Sequence, residues 1–256
     1  MVRLRSPRMK ILLTNDDGIF APGIYAIYKE LCKFADVTVV APENEQSSVG
    51  HGITLYKPLF VHKVSPQNKF QGYAVSGKPA DCVKFAVDVI YKGKKPDLVV
   101  SGINFGGNDG CSVFYSGTVA GAREGALMGI DSMALSLDCY DNPDFSQSVK
   151  IGTKLVKLIF KNKLAKGTFL NVNIPPGKIK GILSTKQGVE PIHGVFHQRI
   201  NPHDKPYYWM SASNPKHIND NSIDTYALKN GYVTVTPVHC SLTDEGFLDK
   251  LRSWKF

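Results

Sequence analysis

A plain aliphatic run that ends in two adjacent acids constrains this chain more than any other feature. Lys10-Ile11-Leu12-Leu13-Thr14 leads directly into Asn15-Asp16-Asp17-Gly18. Ile11, Leu12 and Leu13 have the continuous apolar character of a strand buried on both faces, the kind a parallel sheet uses. In open α/β sheets, ligands gather at the carboxyl ends of such strands. Two carboxylates held side by side there repel each other unless positive charge sits between them. Thr14 and Asn15 add further oxygen donors, and an all-oxygen set suits a hard divalent cation such as Mg2+ or Mn2+. The competing reading is an Asn-Asp-Asp-Gly turn with an Asp capping the next helix. A turn, however, needs one acid rather than two.

From residue 10 to about 140, strand patterns alternate with helix patterns. Ile11–Leu13, 37–40, 98–100 and 133–137 read as strands, with shorter ones at 53–55 and 70–75. Helices are expected from Pro22, from Lys78-Pro79, near Thr118 to Gly129, and through Val149–Phe160. This alternation predicts an α/β fold with a doubly wound, mostly parallel sheet. Pro175-Pro176-Gly177 then breaks the pattern. Residues 193–217 are rich in Pro, His, Asn and aromatics and predict a β-rich extension or arm, suited either to subunit exchange or to a lid. Tyr232–Thr236 alternates as a strand, and a terminal helix is expected from Asp244 to Leu251.

Composition removes several classes. With 43% hydrophobic and 21% charged residues over 256, the chain can bury a full core. No apolar run reaches the ~18 residues that cross a bilayer, so no membrane partner is expected. Residues 1–8 are basic but lack a signal peptide's apolar stretch and read as a short leader. The five cysteines are scattered and form no CxxC, which argues against a disulfide framework or zinc site and favours a reducing, cytoplasmic setting. The net charge of +9 fits either a basic surface or an anionic substrate such as a phosphate ester. Only Lys92-Gly93-Lys94-Lys95 forms a basic cluster, and no nucleic-acid module is present.

Three further segments should reach the same sheet edge as Asp16-Asp17. The loop Glu43-Asn44-Glu45-Gln46-Ser47-Ser48 follows the second strand and offers a hydroxyl to a cation. Ser101–Gly110 follows a buried strand, and Asn104 and Asn108 there supply neutral oxygens or amide donors among glycines. Ser116-Gly117-Thr118 opens a helix, where a cap and an anion site have the same chemistry. No G-x-G-x-x-G or Walker A sequence occurs, and no G-x-S-x-G elbow. The seven histidines show no metal-ligand spacing.

These segments together resemble one family. Leu13–Gly18, Ala21-Pro22-Gly23-Ile24, Val40-Ala41-Pro42 with Ser47, Gly77-x-Pro79-x-Asp81-Cys82-Val83, Val100–Asn108 and Tyr115–Val119 are similar in order and spacing to the SurE family. Leu170–Pro175, Tyr207-Tyr208-Trp209, Asp224-x-x-Ala227 and Gly231–Pro237 carry the likeness almost to the chain's end. Members are stationary-phase survival proteins, metal-dependent 5′/3′-nucleotidases. The resemblance implies a Rossmann-like catalytic core at 9–180. It implies a C-terminal extension at 181–256, holding an oligomerisation arm, a return strand and a terminal helix, exchanged between subunits of a homodimer or homotetramer. It implies one divalent cation per subunit, Mn2+ or Mg2+, held by Asp16, Asp17, Ser47 and Asn104. Asn108, Ser116, Gly117 and Thr118 match positions near the substrate phosphate, and Asp16 and Asp17 are expected to be the catalytic pair.

The expected activity is hydrolysis of nucleoside monophosphates to nucleoside and phosphate. The alternative is a nucleotide- or phosphate-binding regulator with weak or no turnover. Gly107, Lys78 and His51 depart from the family's usual Pro, Thr and small polar residue. Lys78 is expected to reach the mouth of the site and favour more highly phosphorylated substrates.

Overall fold

A computed structural model of the chain describes residues 8–66, 69–212 and 219–255. The apolar run before the acids is β1 (Met9–Thr14), and it lies inside a nine-stranded sheet. It pairs in parallel with β2 (Ala35–Pro42) on one side and β5 (Leu98–Phe105) on the other. Beyond β2 lie β4 (Gly72–Val75), parallel, and the antiparallel edge strand β3 (Val61–Val64). Beyond β5, β6 (Ser132–Leu137) and β7 (Thr168–Ile174) continue in parallel. β11 (Tyr232–His239) then runs antiparallel to β7, and β8 (Gly181–Ser184) closes the edge. The order is β3-β4-β2-β1-β5-β6-β7-β11-β8. The chain therefore builds outward from β1 in one direction and then returns past β1 to build in the other. The crevice between the carboxyl ends of β1 and β5 is the topological switch point, where doubly wound sheets bind ligands.

Side chains alternate across β1, which explains its apolar run. Ile11 and Leu13 pack with Ile24, Ile27 and Leu31 of α1 (Pro22–Leu31) and with Leu155, Val156 and Ile159 of α4 (Ser146–Asn162). Leu12 points to the other face, against Val83 of α2 (Pro79–Phe85) and Ala86 and Val87 just beyond it. All three strand residues are fully buried, each contributing about 1.5–3 kcal/mol. That burial fixes the point at which the acids emerge. α3 (Gly117–Leu127) packs against α2, β5 and β6.

Two local expectations differ. Ile53–Leu55 forms no strand. Thr54 donates its backbone N–H and hydroxyl to the Asp81 carboxylate at 2.9 and 2.7 Å, so side-chain bonds replace a ladder. The Gly-rich stretch at 101–105 is not loop but the end of β5, paired with β6 through Gly102–Leu135 and Asn104–Ser136. The arm contains a hairpin of β9 (Gly194–Ile200) and β10 (Pro206–Ala212). Its last residues, 213–217, lie outside the described residues, as do 1–7 of the leader. α5 (Asp224–Lys229) leads into β11, and the terminal helix α6 (Glu245–Arg252) is capped by Asp244, which accepts from the Phe247 N–H at 2.9 Å. No helix among the described residues is long and apolar enough to cross a membrane.

Candidate active site

The switch-point crevice opens into a cleft of about 570 Å3. Asp16, Ser47, Asn104, Asn108 and Ser116 all line it, from four separate segments of chain. Asp17, next along from Asp16, faces an adjoining groove that shares Phe105 with the cleft. Gly117 and Thr118 lie buried behind Asp16.

Asp16 is only 5% exposed. Burial pushes its carboxyl above the usual range, against hydrogen bonds from Thr118 that favour the charged form. The Thr118 hydroxyl donates to Asp16 Oδ1. Asp17 is pushed up to about 7, first by burial and then by the charge of Asp16. The Phe105 N–H, which donates to Asp17 Oδ2 at 3.2 Å, opposes this, and Glu45 reinforces it. A buried and a half-buried carboxyl so placed resist ionising together, and a divalent cation between them reverses that preference.

The surrounding donors fit such an ion. Among the described residues no three His, Cys, Asp or Glu side chains converge as a metal group. Asn104 and Ser47 offer neutral oxygens and line the cleft beside Asp16. Asn104 is held by its own Nδ2, which donates to Gly106 O at 2.7 Å. Ser47 is exposed and donates to Glu45 Oε1 at 2.5 Å. Asn15 Oδ1, buried beside the pair in sequence, has no hydrogen-bond partner among the described residues. An oxygen-only set with two carboxylates matches hard divalent cations.

The helix start is built for close approach. Ser116 caps α3, its hydroxyl oxygen accepting from the Val119 N–H at 3.1 Å. Gly117 has no side chain because a Cβ there would sit 2.7 Å from Asp16 Cβ. The positive end of the α3 dipole thus lies directly against the acid pair and the cleft. Asn108 is fixed from three sides. Its N–H donates to Asn173 Oδ1 at 2.7 Å, its Nδ2 to Ser136 Oγ at 2.8 Å, and its carbonyl accepts from Asn171 Nδ2 at 2.7 Å.

Several of these partners were not singled out from sequence. Asn171 and Asn173 occupy alternate positions of a buried strand, hence one face, and two amides there are a readable signal. Glu45 lies in the polar loop beside Ser47, and its charge acts on both acids. Lys78 does not line the cleft: its Nζ donates to Ile53 O at 3.2 Å. Its expected role at the site's mouth is therefore replaced by a tie to the preceding loop. His51 joins Lys84 on the buried Glu124 of α3, at 2.9 and 2.7 Å.

Comparison with known proteins gives one consistent neighbourhood. The family model described as survival protein SurE matches residues 11–193. The 5'-nucleotidase SurE of Syntrophobacter fumaroxidans is 45% identical over 249 residues, covering 96% of this chain and 99% of its own. That of Natranaerobius thermophilus is 43% identical over 258 residues, covering 97% and 99%. The crystal structure of the SurE protein from Aquifex aeolicus superposes with a TM-score of 0.83 at 40% identity, covering 95% of this chain and 98% of the other.

Proposed function

This chain belongs to the survival protein SurE family, and on that premise we propose that it is a 5′-nucleotidase, hydrolysing nucleoside monophosphates to nucleoside and phosphate. The observation that supports the reading is that Asp16, Ser47, Asn104, Asn108 and the capped helix start at Ser116 line one switch-point cleft, with Asp17 facing the adjoining groove. Asp16, Asp17, Ser47 and Asn104 would hold one divalent cation per subunit, Mn2+ or Mg2+. When bound, it lends Lewis acidity to the phosphoryl group and to the attacking water.

The chain's own residues do the rest. Thr118 fixes the orientation of Asp16 through its hydroxyl. One carboxyl of the pair takes the proton of the attacking water. Ser116, with its oxygen already accepting from Val119, turns its hydroxyl hydrogen toward the phosphate. The second Nδ2 hydrogen of Asn108 does the same, and the α3 start at Gly117 and Thr118 favours the anion's charge.

The test is phosphate release across nucleoside monophosphates with Mn2+, Mg2+ or EDTA. Turnover that needs a divalent cation supports the reading; no release under any condition contradicts it.

The wider setting follows from the same reading. The arm leaves Phe196, Ile200, Tyr208 and Trp209 largely exposed in one copy of the chain. Such a surface favours association, and we propose a homodimer or homotetramer built through the 181–256 extension. All five cysteines are free, which suits the cytoplasm.

A further inference from the structure

Two large aromatic rings stand in the cleft and take no part in the steps above. Phe105 is 41% exposed and Tyr140 72%, their centroids 6.3 Å apart and their planes at 67°. Both line the same cleft as Asp16 and Ser116, together with Ile192 and Met210 of the arm. Exposed aromatics grouped in a ligand cleft are large apolar surfaces left for a partner to cover.

Their positions are fixed rather than incidental. Phe105 follows Asn104 directly, and its backbone N–H is the group that donates to Asp17. The strand end that serves the acid pair therefore also sets the ring. Gly106 is held by its N–H on Leu137 O at 2.8 Å. It has φ +108, and a Cβ there would come within 2.8 Å of Tyr140 Cε1. A glycine at 106 is what lets Tyr140 lie close over the strand end and meet Phe105. A flat π-faced group covers the exposed ring area more fully than a ribose or glycerol moiety does.

We infer that Phe105 and Tyr140 form the aromatic corner that holds the substrate's nucleobase, which stacks on the face of one ring and meets the other edge-on. The inference rests on the nucleotidase reading and adds the residues that separate a nucleotide from a simple phosphate ester. Phosphate held near Ser116 and Asn108 leaves the remainder of the substrate to extend along the cleft to the two rings.

The experiment compares kcat/KM for AMP and for ribose 5-phosphate in the wild type, Phe105→Ala, Tyr140→Ala and Tyr140→Phe. The AMP to ribose 5-phosphate ratio falls roughly tenfold or more in each alanine variant, chiefly through KM, and is kept by Tyr140→Phe. An unchanged ratio, with both esters affected in parallel, overturns the aromatic corner. Calorimetric titration with adenosine needs no turnover: its Kd weakens by a similar factor in the alanine variants, and equal Kd values overturn the proposal. A wild-type protein that releases phosphate from neither ester contradicts the nucleotidase reading instead, and the adenosine titration still decides the aromatic corner.

Discussion

Thr118, at the start of α3, donates its hydroxyl to Asp16 Oδ1 across 102 residues of sequence. The bond joins the helix that opens the cleft to the strand that ends in the acid pair, so Asp16 is held in one orientation. Replacing Thr118 with Val keeps the shape and removes the donor. Stability falls by about 1–3 kcal/mol, because a buried oxygen loses its partner. In a cation titration of phosphate release, Thr118→Val needs more Mn2+ for half-maximal rate and has a maximal rate roughly tenfold lower. Thr118→Ser recovers most of both. Equal titration curves for Val and wild type would show that Asp16 needs no such support.

The second prediction concerns Asn108. Its backbone N–H, buried, has Asn173 Oδ1 as its acceptor at 2.7 Å. Asn173→Ala leaves that N–H without its acceptor, at a cost of about 1–3 kcal/mol. It also frees Asn108 to move, so turnover falls more than tenfold while cation affinity is retained. Calorimetric Mn2+ binding measured alongside kcat separates this from Asp16 effects. A parallel loss of both would place Asn173 in the cation site.

A third prediction is one of pH. Glu124 is 4% exposed. Burial pushes its carboxyl up, but hydrogen bonds and charges from His51 and Lys84 outweigh it and hold the group below its ordinary 4.5. The folded chain therefore gives up this proton more readily than the unfolded chain. Its stabilisation is complete above pH 4.5 and is lost as pH falls through the folded-state value. The pair also ties the 43–52 loop, which carries Ser47, to α3 and α2. Glu124→Gln should be less stable than wild type by about 2 kcal/mol at pH 7, with the gap closing below pH 4.5. Thermal melts at pH 7, 5 and 4 measure it; a gap that widens on acidification would reverse the sign.

Much of this arrangement is legible in the chain itself, for physical reasons. β1 and the acids were readable because a fully buried strand admits only apolar residues, so charge at its end stands out. Pro22 and the Ile24, Ile27, Leu31 spacing marked α1 in the same way. The family resemblance, and not spacing, supplied the particular set Asp16, Asp17, Ser47 and Asn104. What stayed hidden depends on long-range register. Ser101–Phe105 looks like a loop because glycine is common in loops; it is a strand end, paired to β6. Asn171, Asn173 and Ser136 become partners of Asn108 only once β5, β6 and β7 lie side by side. The Phe105–Tyr140 contact likewise requires the end of β6 to pass beside Gly106.

The central claim is that Asp16 and Asp17 anchor one divalent cation that hydrolysis requires. The direct measurement is phosphate release from a nucleoside monophosphate with Mn2+, paired with calorimetric Mn2+ binding, for wild type, Asp16→Asn and Asp17→Asn. Wild-type turnover should stop in EDTA and return with added Mn2+, and each variant should lose cation binding and turnover together. Near-normal rates in both variants would contradict the account.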